Sequence, residues 1–251
     1  MRLSTLIFLM KLKGSIILLV VPYLLTAQNP EAILNKYLDT VSTRGFDNWS
    51  KIRSAYIESK TFYYDLNDGQ SLVNSDVLTL KQYRLWPDKS VTEVFQDSTL
   101  ISRFYHVNGK HLYVRGNMDP IKISTEPYEP YFEFEPVIVS HLMKNSKSIE
   151  MVGEKNFDSL LCYQVKLKTK ELIWNLFINV KSFRLEYWSN SKGENIEVLT
   201  RLSDYKKIDG CLIPMSEEKI KNGKVFYWSK RTKVVLNSNI DLNKFVLNTP
   251  E

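Results

Sequence analysis

The sequence predicts a mainly β protein with a few helices, an α+β chain whose antiparallel strands form one large sheet. From residue 54 onward, apolar side chains recur with a period of two, which is typical of strands. Asn-Gly and Asp-Gly pairs separate these runs, and such pairs favour two-residue hairpin turns. A sheet of about a dozen short strands is expected to curl, which gives a barrel or half-barrel with a concave face.

The first 27 residues are predicted to be a cleaved signal peptide. Arg2, Lys11 and Lys13 supply positive charge, and residues 15–25 form an apolar core of about eleven residues. A membrane-spanning helix needs roughly 20 apolar residues, which favours a signal peptide over the alternative of an uncleaved membrane anchor. We place cleavage after Ala27, and no cysteine lies near this position to carry a lipid anchor.

Composition indicates that the remaining residues, 28–251, form a single domain. The full chain has 251 residues and a net charge of +6, and removal of the signal peptide would leave about +3. This charge is mild, and basic and acidic residues are interleaved, which argues against a nucleic-acid partner. We expect a soluble, monomeric protein of the bacterial periplasm.

One helix and twelve strands are predicted after the signal peptide. Residues 30–43 carry apolar side chains at helical spacing behind Pro30, and Gly45 ends the helix. The strands are predicted at residues 54–64, 75–85, 91–96, 100–107, 110–115, 148–152, 160–168, 172–179, 183–189, 195–205, 211–220 and 224–236. The turn pairs between them are Asp68-Gly69, Asn108-Gly109, Asp209-Gly210 and Asn222-Gly223.

Two cysteines, Cys162 and Cys211, lie in predicted strands. In an oxidising compartment they could form one disulfide, and alternatively each could pack as a small apolar side chain. The sequence leaves both alternatives open.

Residues 124–136 interrupt the strand pattern. The segment is rich in proline, aromatic residues and glutamate, and Pro127 and Pro130 exclude a central strand because they lack an N–H donor. A short apolar helix is predicted at 137–144. We expect residues 124–144 to cover one face of the sheet as a lid, with the alternative that they simply close the core.

No catalytic residue and no cofactor are predicted. The sequence contains no nucleophile elbow, glycine-rich phosphate loop or zinc-binding helix motif. Four glutamates of residues 124–136 could indicate the paired carboxylates that glycoside hydrolysis requires. The favoured interpretation is that they lie on the solvated rim of a loop. They are Glu126, Glu129, Glu133 and Glu135.

His106 and His111 are the candidate metal ligands. If Asn108-Gly109 is a two-residue turn, the two histidines lie opposite each other, with Cβ atoms about 5 Å apart. A metal site needs a third or fourth ligand, and the next pair on that face, Phe104 and Tyr113, does not readily supply one. An ordinary, solvent-facing pair without metal is therefore favoured.

Five runs of residues carry a resemblance to a known family. They are the helix 32–38, the hairpin 104–114 with its Asn-Gly-Lys turn, the pair 176–179 and 183–185, the run 204–214 with Asp-Gly and a final Pro, and the closing 245–250. In this order they resemble the LolA-like periplasmic carriers of outer-membrane lipoproteins, over nearly all of the chain after the signal peptide.

The resemblance implies an incomplete barrel of about eleven antiparallel strands, with an N-terminal helix and a helical lid. Its apolar interior would take acyl chains of a lipid or lipoprotein. One position departs from the pattern, because carriers that hand lipoproteins onward have an Arg directly before a Pro in an early turn. Here Trp86 precedes Pro87, and Arg84 lies two residues earlier.

The sequence patterns and the resemblance together predict a non-enzymatic lipid or lipoprotein carrier. The candidate cavity and lid residues are Leu78, Leu80, Tyr105, Leu112, Val114, Phe132, Phe134, Ile138 and Leu142. Each of them could instead be plain core. Two other functions remain open, namely an envelope sensor or adaptor that binds a protein partner, and a hydrolase or isomerase with polar side chains inside the barrel.

Overall fold

The structure is a computed structural model of the chain. It describes residues 6–12, 15–21, 29–63, 77–86, 89–107, 110–115, 121–124, 134–193 and 198–246. Strands β1 (Leu6–Leu12) and β2 (Ser15–Val21) pair as a separate hairpin within the predicted signal peptide. The expected cleavage position after Ala27 lies outside the described residues. In the parts of the chain that are described, no helix combines the length and hydropathy needed to cross a membrane.

Helix α1 (Pro30–Thr40) begins where the sequence predicts. The Asn29 side chain caps it by accepting a hydrogen bond from the backbone N–H of Glu31, and Pro30 occupies the first turn. The helix ends earlier than the predicted residue 43 because the chain there turns into strand β3 (Thr43–Gly45). The N–H of Thr43 donates to the carbonyl oxygen of Gly210 at 3.0 Å, so this short strand is tied to the main sheet.

The other elements follow in chain order. They are α2 (Phe46–Ser50), β4 (Ser54–Tyr63), β5 (Leu78–Leu85), β6 (Lys89–Gln96), β7 (Thr99–Val107), β8 (Lys110–Arg115), β9 (Ile121–Ser124), α3 (Glu135–Asn145), β10 (Ser148–Phe157), β11 (Leu160–Lys168), β12 (Ile173–Asn179), β13 (Leu185–Ser191), β14 (Leu199–Ile208), β15 (Cys211–Lys221), β16 (Lys224–Leu236) and a 3-10 helix (Leu242–Phe245).

Strands β4 to β16 form one 13-stranded antiparallel sheet. Its order is β10-β11-β12-β13-β14-β15-β16-β4-β5-β6-β7-β8-β9, so two meanders are joined where the last strand, β16, pairs with β4. In the described part of the chain, β9 and β10 are the two edges and the sheet does not close. The predicted incomplete antiparallel barrel with helices is confirmed, and β9 is the one strand of this sheet that the sequence did not predict.

Two of the four predicted hairpin turns have the expected backbone, whereas Asp68-Gly69 and Asn108-Gly109 lie outside the described residues. Asp209 and Gly210 have φ of +48° and +81°, and Asn222 and Gly223 have +51° and +74°. Positive φ at both central residues gives the turn whose twist matches that of the paired strands. Asp97 and Ser98 form an equivalent turn, with φ of +45° and +70°, between paired residues Gln96 and Thr99.

The main core lies between the three helices and one face of the sheet. Strand β4 alternates as predicted, with Ala55, Ile57, Ser59 and Thr61 buried on this face and Lys60 exposed on the other. Phe134, at the start of α3, is fully buried, with its ring 5.1 Å from that of Trp49 and 6.0 Å from that of Trp86. The larger core cluster comprises residues of α1, α2, α3 and strands β4, β11–β16.

Cys162 and Cys211 are both free and buried. Cys162 packs with Phe177 and Tyr187 in a small second cluster, whereas Cys211 belongs to the main core. Burial raises the pKa of each thiol to about 11. Of the two alternatives left open by the sequence, the structure therefore has the cysteines as separate small apolar side chains.

Leu34→Ala should destabilise the protein by about 2–5 kcal/mol, because Leu34 is fully buried where α1 packs on the sheet. Asn35→Ala, on the exposed side of the same helix, is the matched control and should change stability by less than about 0.5 kcal/mol. Urea unfolding followed by circular dichroism measures both. Equal effects of the two substitutions would contradict the packing of α1 described above.

Candidate functional site

The strand register determines which side chains share the face beneath the helices. Directly paired residues of neighbouring strands lie on the same face of a sheet. Ser59 pairs with Leu80, Leu80 with Val94, and Val94 with Ser102, so these four lie on one face. Because Ile57 of the same face belongs to the main core, this is the side on which the helices lie.

A cavity of about 100 Å³ lies on this face beside the start of α3. It is lined by Ser59, Leu80, Gln82, Arg84, Glu135, Ile138, Trp188, Glu217, Tyr227, Ser229 and Arg231. Trp188 in β13 and Leu80 in β5 are five strands apart, which would be about 24 Å in a flat sheet. They can line one small cavity only because the sheet curls, so this face is concave.

Four charged side chains make the cavity polar. Arg231 on β16 donates from Nη1 to the carbonyl oxygen of Pro214 at 2.6 Å and from Nη2 to Oε1 of Glu135 at 3.4 Å. Arg84 on β5 is 3% exposed and donates from Nη2 to Oε1 of Gln82 at 3.1 Å. Glu217 is the fourth charged residue of the lining. The two arginines and two glutamates balance in formal charge.

Glu135 is the most unusual of these groups. It is 6% exposed, and Oε2 has no hydrogen-bond partner among the described residues. Burial raises the pKa of its carboxyl, and the nearby Arg231 guanidinium opposes that shift. The prediction that Glu135 lies on a solvated rim is wrong, because α3 begins at Glu135 and its first turn packs on the sheet. Glu126, Glu129 and Glu133 lie outside the described residues.

Beyond the cavity, the concave face carries a row of accessible apolar and aromatic side chains, here named the concave stripe. Its members are Tyr227, Tyr63, Leu78, Leu80, Phe104 and Tyr113. Tyr63 is 49% exposed and Phe104 is 44% exposed, and the other members are half-buried. Ring pairs hold the two ends, with centroids 5.2 Å apart for Tyr63 and Tyr227 and 4.8 Å for Phe104 and Tyr113.

The predicted cavity residues are distributed over several places. Leu80 and Ile138 line the cavity, and Leu78 lies next to Leu80 on the concave stripe. Phe134 and Leu142 are buried in the main core. Phe132 lies outside the described residues.

The remaining three predicted residues lie on the opposite, convex face. Tyr105 pairs with Val91 and with Leu112, and Val114 pairs with Arg103. Arg103 forms an ion pair with Glu93, which also binds Lys244 of the 3-10 helix at 2.9 Å. The register therefore separates Tyr105, Leu112 and Val114 from Leu78 and Leu80.

His106 and His111 are directly paired across the hairpin, as the sequence predicts. His106 pairs with Ser90 on its other side, which puts it on the concave face, where it is half-buried. Within the described residues, no three or more His, Cys, Asp or Glu side chains are grouped so that they could hold a metal ion.

The charged residues Arg84, Glu217 and Arg231 were not among the predicted site residues. A signal for Arg84 was present in the sequence, because it is in phase with Leu78 and Leu80 on a strand of period two. The face of β16 on which Arg231 lies could not be predicted from alternation in this way. A bulge between Arg231 and Lys233 shifts the register of β16, and the sequence does not mark its position.

Solved structures share this fold. No family model matches the sequence, and no curated protein matches it. A DUF1329 family protein from Desulfovibrio piger aligns with a TM-score of 0.62 at 11% identity, covering 86% of this chain and 96% of that one. A LolA superfamily protein from Nitrosomonas europaea aligns with a TM-score of 0.59 at 11% identity, covering 88% and 99%. The chain therefore has a LolA-like fold, as its resemblance predicted.

Arg231→Gln should destabilise the protein by about 3–5 kcal/mol near neutral pH, because it leaves the buried Glu135 carboxylate without its counter-charge. The loss should shrink as the pH falls. Without Arg231 the pKa of Glu135 rises further, and below that pKa the carboxyl is neutral and needs no counter-charge. Urea unfolding at mildly alkaline and mildly acidic pH measures this dependence.

The exposed neighbour Lys230 provides the control, and Lys230→Gln should have little effect at either pH. A loss of stability in Arg231→Gln that is the same at both pH values would show that the ion pair with Glu135 is not its source.

Proposed function

We propose that this protein is an exported, non-enzymatic carrier that binds the acyl chains of a lipid or lipoprotein on the concave face of its half-barrel. Export would follow from the signal peptide predicted at residues 1–27, and would place the protein in the periplasm. The LolA-like fold supplies the open, curved sheet on which such a ligand could lie.

The concave stripe is the observation that carries the proposal. Accessible apolar and aromatic side chains gathered on one face of a protein mark a surface that binds something. On β6 the stripe is interrupted by Thr92 and the buried Val94. The stripe runs from β16 to β8, a distance of about 24 Å along the sheet. One acyl chain occupies roughly 15 Å, half of the bilayer core, so the stripe is long enough for it.

The small cavity does not hold the chain itself. Its volume of about 100 Å³ is well below the roughly 300–1,000 Å³ of typical ligand pockets, and its walls carry charges. The acyl chain would instead lie along the stripe, with α3 at its polar end. Burial of each methylene contributes about 0.8 kcal/mol, so a long chain gains on the order of 10 kcal/mol before association costs are subtracted.

Lipid recovery tests the proposal directly. The exported protein would be purified from a bacterial envelope without detergent, extracted with organic solvent and analysed by mass spectrometry beside a known lipid carrier. We expect lipid in an amount comparable to the protein. Absence of lipid, with lipid recovered from the known carrier, would count against the proposal.

Phe104→Glu should weaken binding of a fluorescent fatty acid by about tenfold or more, because it removes an apolar contact worth about 1.5–3 kcal/mol and adds a charge to the stripe. Leu242→Glu is the control, since Leu242 is 63% exposed on the 3-10 helix of the convex face. Fluorescence titration measures both. If Leu242→Glu weakens binding as much as Phe104→Glu, the ligand does not lie on the concave stripe.

A further inference from the structure

The charged cavity is continuous with the concave stripe. Leu80 and Tyr227 belong to both, so a molecule that lies on the stripe meets the cavity at one end. Strand β5 shows the same transition in a single row, because its concave side chains run from Leu78 and Leu80 to Gln82 and Arg84. Along β5, apolar surface thus leads into polar surface, which is the order of groups in an amphiphilic lipid.

The cavity has room for a polar group. About 100 Å³ would hold several water molecules, since one water needs roughly 10–15 Å³ of such space. Arg84, Glu135, Glu217 and Arg231 together contribute no net formal charge. A group that is neutral overall, or that carries one charge of each sign, matches this lining better than an anion or a cation alone.

Glu135 indicates that a polar group bound in the cavity must carry a hydrogen-bond donor. Its Oε1 accepts from Arg231, whereas its buried Oε2 has no hydrogen-bond partner among the described residues. A buried acceptor without a partner is uncommon in folded proteins, and a carboxylate oxygen binds an N–H or O–H donor strongly. The residue is more than nine-tenths buried and forms part of the cavity wall.

Arg84 supplies the opposite charge on the same cavity wall. Arg84 lies on β5 beyond Leu78, Leu80 and Gln82 on the concave face, and it is 3% exposed. Arginine is well suited to a phosphate group because its planar fork of donors matches two phosphate oxygens. A phosphate attached to a chain on the stripe would therefore come near Arg84.

We infer that this cavity is the headgroup subsite of the carrier, and that it takes a zwitterionic headgroup with an N–H-bearing ammonium. The ammonium lies at Glu135 and the phosphate faces Arg84. This inference rests on the proposed function, because it requires that an acyl chain occupies the adjoining stripe. It names the lipid class that the site selects.

Two lipids whose headgroups differ only at the ammonium, –NH3+ against –N(CH3)3+, test the inference. Lysophosphatidylethanolamine and lysophosphatidylcholine with the same acyl chain have the same charges, but only the former can donate a hydrogen bond to Glu135. Isothermal titration of the full-length protein with each lipid, below its critical micelle concentration, should show about tenfold or tighter binding of the ethanolamine lipid. Lysophosphatidylglycerol, an anion, should bind more weakly than the ethanolamine lipid.

Glu135→Gln should reduce the preference between the first two lipids to within about twofold, because a neutral amide accepts the ammonium N–H much more weakly than a carboxylate oxygen does. Glu218→Gln is the matched control. Glu218 is the neighbour of Glu217 on β15, faces the convex side and pairs with Arg201 at 2.5 Å. Circular dichroism and binding of the fluorescent fatty acid establish that each variant is folded.

The outcomes separate the inference from the proposed function. Equal binding of both lipids by the unmodified protein would overturn the headgroup subsite and leave acyl binding standing. A preference that persists in Glu135→Gln would overturn the role of Glu135. Binding of neither the lipids nor the fatty acid would overturn the proposed function itself. If Glu135→Gln does not fold, the comparison of the two lipids on the unmodified protein still tests the headgroup subsite.

Discussion

Three short helices cover only part of one face of a 13-stranded sheet, and this mismatch governs the rest of the structure. Every strand sends alternate side chains to the concave face, and that face is packed where the helices lie on it and partly accessible elsewhere. The packed part includes Ala55, Ile57 and Leu236. The accessible part carries Tyr63, Phe104 and the other members of the concave stripe. An open half-barrel with one helical cover is the result.

The contact between α3 and β16 marks the boundary between these two parts. Phe134 fills the core beside Trp49 and Trp86, and the next residue, Glu135, meets Arg231 from the sheet. A buried ion pair of this kind adds little net stability, because two charges must leave water. It does favour this docking of α3, since a shifted helix would separate the buried Glu135 carboxylate from Arg231. The same pair adds two of the four charged side chains that line the cavity.

Along β5, the concave face changes from apolar to polar side chains. Apolar side chains on β5 give way to Gln82 and Arg84, and the start of α3 closes the polar end. The convex face is different, because the 3-10 helix is fixed there by Lys244, which binds Glu93 and lies 4.7 Å over the ring of Tyr83. Phe245 is buried in the same region. The 3-10 helix therefore packs on the convex face, whereas the accessible stripe belongs to the concave one.

Local patterns were sufficient for most of the strands. Period-two alternation located twelve of the thirteen strands of the sheet, and Asp209-Gly210 and Asn222-Gly223 located two of its hairpins. Strand β9 was missed because it has only four residues and precedes the proline-rich segment. The sequence also grouped Tyr105, Leu112 and Val114 with Leu78 and Leu80, since all are apolar. Whether apolar residues on different strands share a face depends on register, which single-strand patterns do not contain.

The sequence by itself determined the class of fold, the position of most strands and the apolar character of α3, because each of these depends on neighbours along the chain. Only the tertiary structure decided which side chains meet in the hollow. Glu135 and Arg231 are 96 residues apart in sequence, and their contact requires both the curl of the sheet and the docking of α3. Curvature, bulges and buried charge arise from long-range pairing, so the polar end of the site could not be read from local periodicity.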